Sequence, residues 1–175
     1  MSIQANLLEI KNQLPENVTL VAVSKTKPVS DLQEAYLTGQ RIFGENKIQE
    51  MTDKWEQLPK DIEWHMIGHV QTNKVKYMAP YVHLIHGVDS LKLLIEINKQ
   101  AVKNNRIINC LLQVYIAKEE TKFGLNEAEV LEIIHSEEFK TLNNIKVIGL
   151  MGMASFSDNE EVIKKYVNIA TQAII

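Results

Sequence analysis

The sequence predicts an α/β protein on a parallel sheet, and two observations predict it. Six short apolar runs alternate with helical patterns after one leading helix. Alternation of this kind implies right-handed crossovers between parallel strands. The first run, T-L-V-A-V-S-K at 19–25, is apolar on both faces, as a strand covered on both sides should be. Two closures satisfy the pattern: an open doubly wound sheet, or a (β/α) barrel, whose full form has eight strands. No G-x-G-x-x-G follows the first run, where S-K-T-K-P stands instead; this disfavours a dinucleotide-binding turn but leaves a flavodoxin-like sheet open. Against the barrel, the chain stops inside a helical pattern at T-Q-A-I-I, two units short of eight.

Each element has a local reason. Residues 3–14 place Ile3, Leu7, Leu8 and Ile10 on one helical stripe, and Pro15 stops it. After the first strand, Pro28 and Ser30 open a helix through Leu32, Ala35 and Leu37, which Gly39 closes. R-I-F-G-E at 41–45 is the second strand, with a helix to about residue 57. E-W-H-M-I-G at 63–68 is the third, with a helix from about 72 to 78. H-L-I-H-G-V at 83–88 is the fourth; Asp89 or Ser90 then caps a helix carrying Leu93, Leu94, Ile97 and Ala101. The fifth strand, 107–116, precedes a helix at 126–135, and the sixth, 146–153, precedes a final helix from about 158.

Composition narrows the function. The 175 residues carry a formal net charge of −3, so no basic face supports non-specific nucleic-acid binding. A hydrophobic fraction of 45% suits a packed core and argues against disorder. Lone Cys110 excludes an internal disulfide framework and a thiolate zinc cluster. No apolar run approaches the roughly 20 residues of a membrane helix. The opening M-S-I-Q-A-N-L-L-E-I has no basic n-region or long apolar h-region. The expectation is a cytoplasmic single domain over residues 1–175.

In either architecture the site lies at the carboxyl ends of the strands. Polar residues gather there: Ser24 to Lys27, then Glu45, Asn46 and Lys47, then His69 to Lys74, then Asp89 and Ser90. Lys25 is the sharpest candidate. A lysine continuing the apolar run Leu20-Val21-Ala22-Val23 is expected to be drawn inward. Burial lowers an ammonium pKa, and a neutral amine attacks an aldehyde. The bland alternative is a lysine solvated in the loop. Thr72 or Asn73 reads equally as a helix cap. His65, inside a strand, reads as a hydrogen-bonded core histidine. His83 and His86, three apart on one strand, are expected on opposite faces, so no metal site is expected. Tyr115 is the one tyrosine in a strand that could serve a second acid–base role.

Five segments together resemble one family. They are V-A-V-S-K-T-K-P at 21–28, F-G-E-N at 43–46 with Gln49-Glu50 after it, W-H-M-I-G-H-V-Q-T-N-K at 64–74, K-F-G at 122–124 and G-L-M-G-M at 149–153. In order and approximate spacing they resemble the pyridoxal-phosphate homeostasis proteins. The resemblance implies a (β/α)8 TIM-barrel type fold as in the alanine racemase N-terminal domain, with about six βα units present here. It implies pyridoxal 5′-phosphate (PLP) as cofactor, held as a Schiff base on Lys25, with Asn46 a second cofactor-binding residue. It implies a cofactor carrier in vitamin B6 and amino-acid balance, monomeric when intact, with no assigned reaction. The family's S-M-G-M-S-like and R-x-G-like phosphate-gripping segments do not occur in this sequence. A racemase-like enzyme and a cofactor-free, self-associating module are the competing readings.

Overall fold

The computed structural model describes residues 2–114 and 124–152. Helix α1 (Ile3–Gln13) starts where the Ser2 side chain accepts from the Ala5 amide, and it ends at Leu14, before Pro15. There follow β1 (Ala22–Val23), α2 (Val29–Leu37), β2 (Ile42–Glu45), α3 (Ile48–Gln57) and β3 (Glu63–Met66). A 3₁₀ turn (Thr72–Lys74) runs into α4 (Val75–Met78), then β4 (Val82–Val88) and α5 (Leu91–Lys103). The last described elements are β5 (Ile108–Val114), α6 (Glu127–His135), α7 (Glu137–Lys140) and β6 (Ile145–Gly152). The final helix expected from about 158, like Tyr115, lies outside the described residues.

All six strands are parallel and stand in the order β1-β2-β3-β4-β5-β6. A doubly wound sheet reverses its strand order at a switch point. Here each strand adds to the same side of its predecessor, as in a barrel wall. The order therefore decides between the two closures: the sheet is that of a partial TIM barrel.

One sheet face carries the core. Phe43, Trp64, Met66, Ile85 and Leu112 are essentially buried, together with Met51 on α3 and Leu94 and Ile97 on α5. Their strand neighbours Gly44, His65, Leu84 and Gln113 are also buried, on the opposite face that successive side chains take. Val23 is 52% exposed and Ile148 56%, both large aliphatics at strand positions. The apolar run of the first strand is thus covered on one face among the described residues, against the two-sided burial its composition predicts.

Three local expectations are refined. Ser90, not Asp89, caps α5, accepting from the Leu93 amide. Neither Thr72 nor Asn73 acts as a cap; both lie inside the 3₁₀ turn, and Gln71 precedes it without a side-chain cap bond. Helix α6 begins with a reciprocal capping box, Asn126 accepting from the Glu129 amide while Glu129 accepts from the Asn126 amide.

The histidines of β4 depart from simple alternation. Trp64 pairs with Val82, but His65 pairs with Leu84, so β4 holds one extra residue at His83. An extra residue changes the parity of everything beyond it. His83 and His86 consequently share a face, and both meet His65. His65 Nδ1 lies 3.0 Å from His86 Nε2, and the His65 and His83 rings lie 8° from parallel with centroids 5.7 Å apart. The expectation of opposite faces fails because it assumed an unbroken pleat. His65 itself is the hydrogen-bonded, buried histidine expected. Burial, aided by His86 and His83, pulls its pKa down to about 4.

Cys110 sits on β5 among the core residues, and burial pushes its thiol up to about 12. The native protein should not react with Ellman's reagent at pH 8, whereas the unfolded chain should titrate its single thiol. Rapid labelling of the native protein would show that the β5 core opens.

Candidate functional site

The carboxyl end of β1 is built around a buried lysine, Lys54, on α3. Its ammonium donates to the Ser24 carbonyl at 2.8 Å and to Glu45 Oε1 and Glu50 Oε1 at 2.7 Å each. Three donors thus meet three acceptors, which satisfies the group completely. The side chains of Lys54 and Glu45 are 6% and 0% exposed. Ser24 Oγ donates to the same Glu45 oxygen at 2.6 Å. Glu50, half-buried one helical turn before Lys54, accepts from the Thr26 amide at 2.6 Å. The bond from Lys54 holds the Glu50 carboxyl below the usual carboxylate range; burial opposes this and the Thr26 amide adds to it.

This network grips the turn that carries Lys25. Ser24 is fixed through its hydroxyl and its carbonyl, and the carbonyl also accepts from the Lys27 amide at 3.0 Å. Thr26 adopts φ 64°, a left-handed conformation uncommon for a β-branched residue. Such a conformation persists only where its surroundings enforce it, and the Glu50 carboxylate does so here. Lys25 stands between two pinned neighbours and is itself exposed. The expectation that it is drawn inward does not hold: Lys54 is the buried lysine of this turn, and Lys25 is exposed.

The second expected residue, Asn46, follows directly after β2 and is half-buried. It lines a cleft with Lys47, Gln49, His69, Gln71 and Lys74. Most of the expected rim residues of the second and third strands are therefore together, while Lys25 stands beyond that lining. His69 Nδ1 meets Asp89 Oδ2 at 3.3 Å, joining the fourth strand's end to the same rim. The strand ends beside this cleft pack closely because two residues lack side chains. A Cβ at Gly68 would fall 2.4 Å from the Asn46 carbonyl oxygen, and one at Gly87 would fall 2.7 Å from the Gly68 carbonyl oxygen. Glycine at both positions lets the strand ends approach one another.

Sequence reasoning placed Glu45 at the rim and missed Lys54. The i,i+4 pair of Glu50 and Lys54 on α3 was the readable signal. Nothing local connects Lys54 to Glu45 or to the Ser24 carbonyl.

Comparison with known proteins gives the site its context. Residues 1–174 match the family described as alanine racemase, N-terminal domain. A pyridoxal phosphate homeostasis protein of Vibrio alginolyticus is 37% identical, over 97% of this chain and 79% of the relative. One of Aquifex aeolicus is 41% identical over 84% of this chain, which spans 64% of that relative's length. Among solved structures, PipY of Synechococcus elongatus without PLP superposes with a TM-score of 0.90 at 31% identity, covering 98% of this chain and 80% of PipY. The same protein with PLP bound superposes with a TM-score of 0.80 at 30% identity, covering 99% and 84%. An alanine racemase of Clostridium difficile, 17% identical with a TM-score of 0.80 over 99% of this chain and 46% of its own, shares the fold. With a match along nearly its whole length and identities of this order, the chain belongs to the alanine racemase N-terminal domain family and, within it, to the pyridoxal phosphate homeostasis proteins.

Proposed function

We propose that this chain is a PLP-binding protein of vitamin B6 and amino-acid homeostasis, with Lys25 as the residue that holds the cofactor. The reading draws support from the names of its relatives and from PLP bound to PipY. The observation that carries it is the clamped turn. An exposed primary amine stands at the carboxyl end of β1, with its neighbours Ser24 and Thr26 both fixed by the Lys54–Glu45–Glu50 network. The donor set fits the aldehyde end of PLP, which supplies a carbonyl carbon that a primary amine attacks, with loss of its oxygen as water.

This chain's residues do the positioning. The buried network keeps the Lys25 backbone from moving, so the amine is presented at low entropic cost. Asn46 offers an amide donor and acceptor at the neighbouring strand end. The chain has no catalytic activity of its own in this reading: it carries the cofactor. Residues 1–175 act as one α/β domain, consistent with the single continuous core cluster among the described residues.

The test is reduction trapping. The purified chain is incubated with PLP, treated with borohydride and digested. The mass label should fall on the peptide containing Lys25, and Lys25→Ala should remove both the label and the near-UV band. Stoichiometric labelling that persists in Lys25→Ala would overturn the assignment. Sustained exchange of amino-acid α-protons in deuterated water by the PLP-loaded chain would overturn the carrier role.

A further inference from the structure

A second polar cluster lies away from the carboxyl-end rim, toward the amino ends of the strands. Glu63 is the first residue of β3 and His83 the second of β4. His65 follows Glu63 by two, so the two share a strand face. The extra residue in β4 brings His83 to that face as well. One ligating atom each from Glu63, His65 and His83 lies within 4.8 Å of the others.

Three further observations point to a ligand there. His65 is only 5% exposed, and its Nε2 is buried without a hydrogen-bond partner among the described residues. Its other nitrogen, Nδ1, is occupied by His86 Nε2 at 3.0 Å. With His86 accepting, the proton of His65 sits on Nδ1 and Nε2 presents a lone pair. Metal-ligating histidines are commonly held this way, the distal nitrogen fixed by an outer acceptor. Lastly, His83 Nε2 and Glu63 Oε2 are 3.5 Å apart. Two ligands at about 2.0–2.2 Å from a tetrahedral zinc are separated by roughly 3.3–3.5 Å.

We propose that Glu63, His65 and His83 bind one zinc-type divalent cation, with His86 orienting His65 and a water completing the tetrahedron. Two imidazoles and one carboxylate suit a borderline cation of the zinc class. Magnesium and calcium take oxygen ligands and do not match this set. The cluster opens onto a groove bordered by Thr19, Val21 and Ile42, which admits the cation and its water. The His65 ring is buried and fixed. The exposed His83 ring lies nearly parallel to it, with its Nε2 already 3.5 Å from Glu63 Oε2. Three protein ligands leave the fourth position open to the groove, the arrangement of sites that bind exchangeable groups.

The experiment uses the untagged, chelator-stripped chain titrated with Zn²⁺ alone against a chromophoric competitor. One Zn²⁺ per chain is expected. Glu63 and His83 are partly exposed, so Glu63→Gln and His83→Ala should fold normally, checked by circular dichroism, and lose affinity by about 100-fold or more. His86→Ala should lose about 10–100-fold, the usual effect of removing an outer-shell partner. His135→Ala, on α6, should bind as the wild type does. Failure of the wild-type chain to bind Zn²⁺, or wild-type affinity in both Glu63→Gln and His83→Ala, would overturn the site, as would equal loss in His135→Ala.

Discussion

Replacing Lys54 with alanine should lower the unfolding free energy by about 3–5 kcal/mol, the usual cost of removing one partner from a buried ion pair. Glu45 has no exposed side-chain surface, so the carboxylate left behind cannot regain water. The Ser24 carbonyl and Glu50 lose a donor in the same change. A urea titration that returns an unaltered m-value and a midpoint shifted by less than about 1 kcal/mol equivalent would contradict this account. The paired replacement Glu45→Leu with Lys54→Met separates stability from positioning. Well-packed apolar pairs often replace buried ion pairs at little cost, so much of the stability should return. The grip on Ser24 should not return, and the double variant should label more slowly at Lys25 with PLP than the parent does. Equal labelling rates would mean that the turn needs no clamp.

The second large effect is expected at Gly68. Alanine there would place its Cβ 2.4 Å from a backbone oxygen of Asn46, and backbone cannot swing aside as a flexible side chain can. Overpacking of this kind costs about 1–3 kcal/mol. The strain falls on the contact between the ends of β2 and β3, so Asn46 should move with it. The expected result is a lower thermal midpoint together with weaker retention of PLP. Gly39→Ala offers a contrast, since no atom lies within 4 Å of its added Cβ. Any loss there comes from its φ of 89° alone and should leave PLP retention untouched. If Gly68→Ala matches the parent in both measurements, the close approach of the strand ends is not a constraint.

Much of the fold was legible because its signals are local. The short apolar runs, Pro15 after the first helix, the Asp89-Ser90 cap pair and the helix start at Asn126 each act within a few residues. Those signals determined the alternation of strand and helix, the leading helix and the cluster of polar residues at one rim. They also singled out Lys25, since a lysine ending an apolar run is conspicuous in one dimension.

Only the tertiary structure decided the rest, because it depends on which strands become neighbours. Strand order separated a barrel wall from a doubly wound sheet, and no periodicity within a strand encodes that order. One extra residue in β4, visible only against its partner β3, turned two histidines from opposite faces to the same face. Packing α3 across the ends of β1 and β2 sent Lys54 inside and left Lys25 outside. The sequence could not separate these two lysines by burial, since a buried ammonium is tolerated only where three acceptors from distant residues converge on it.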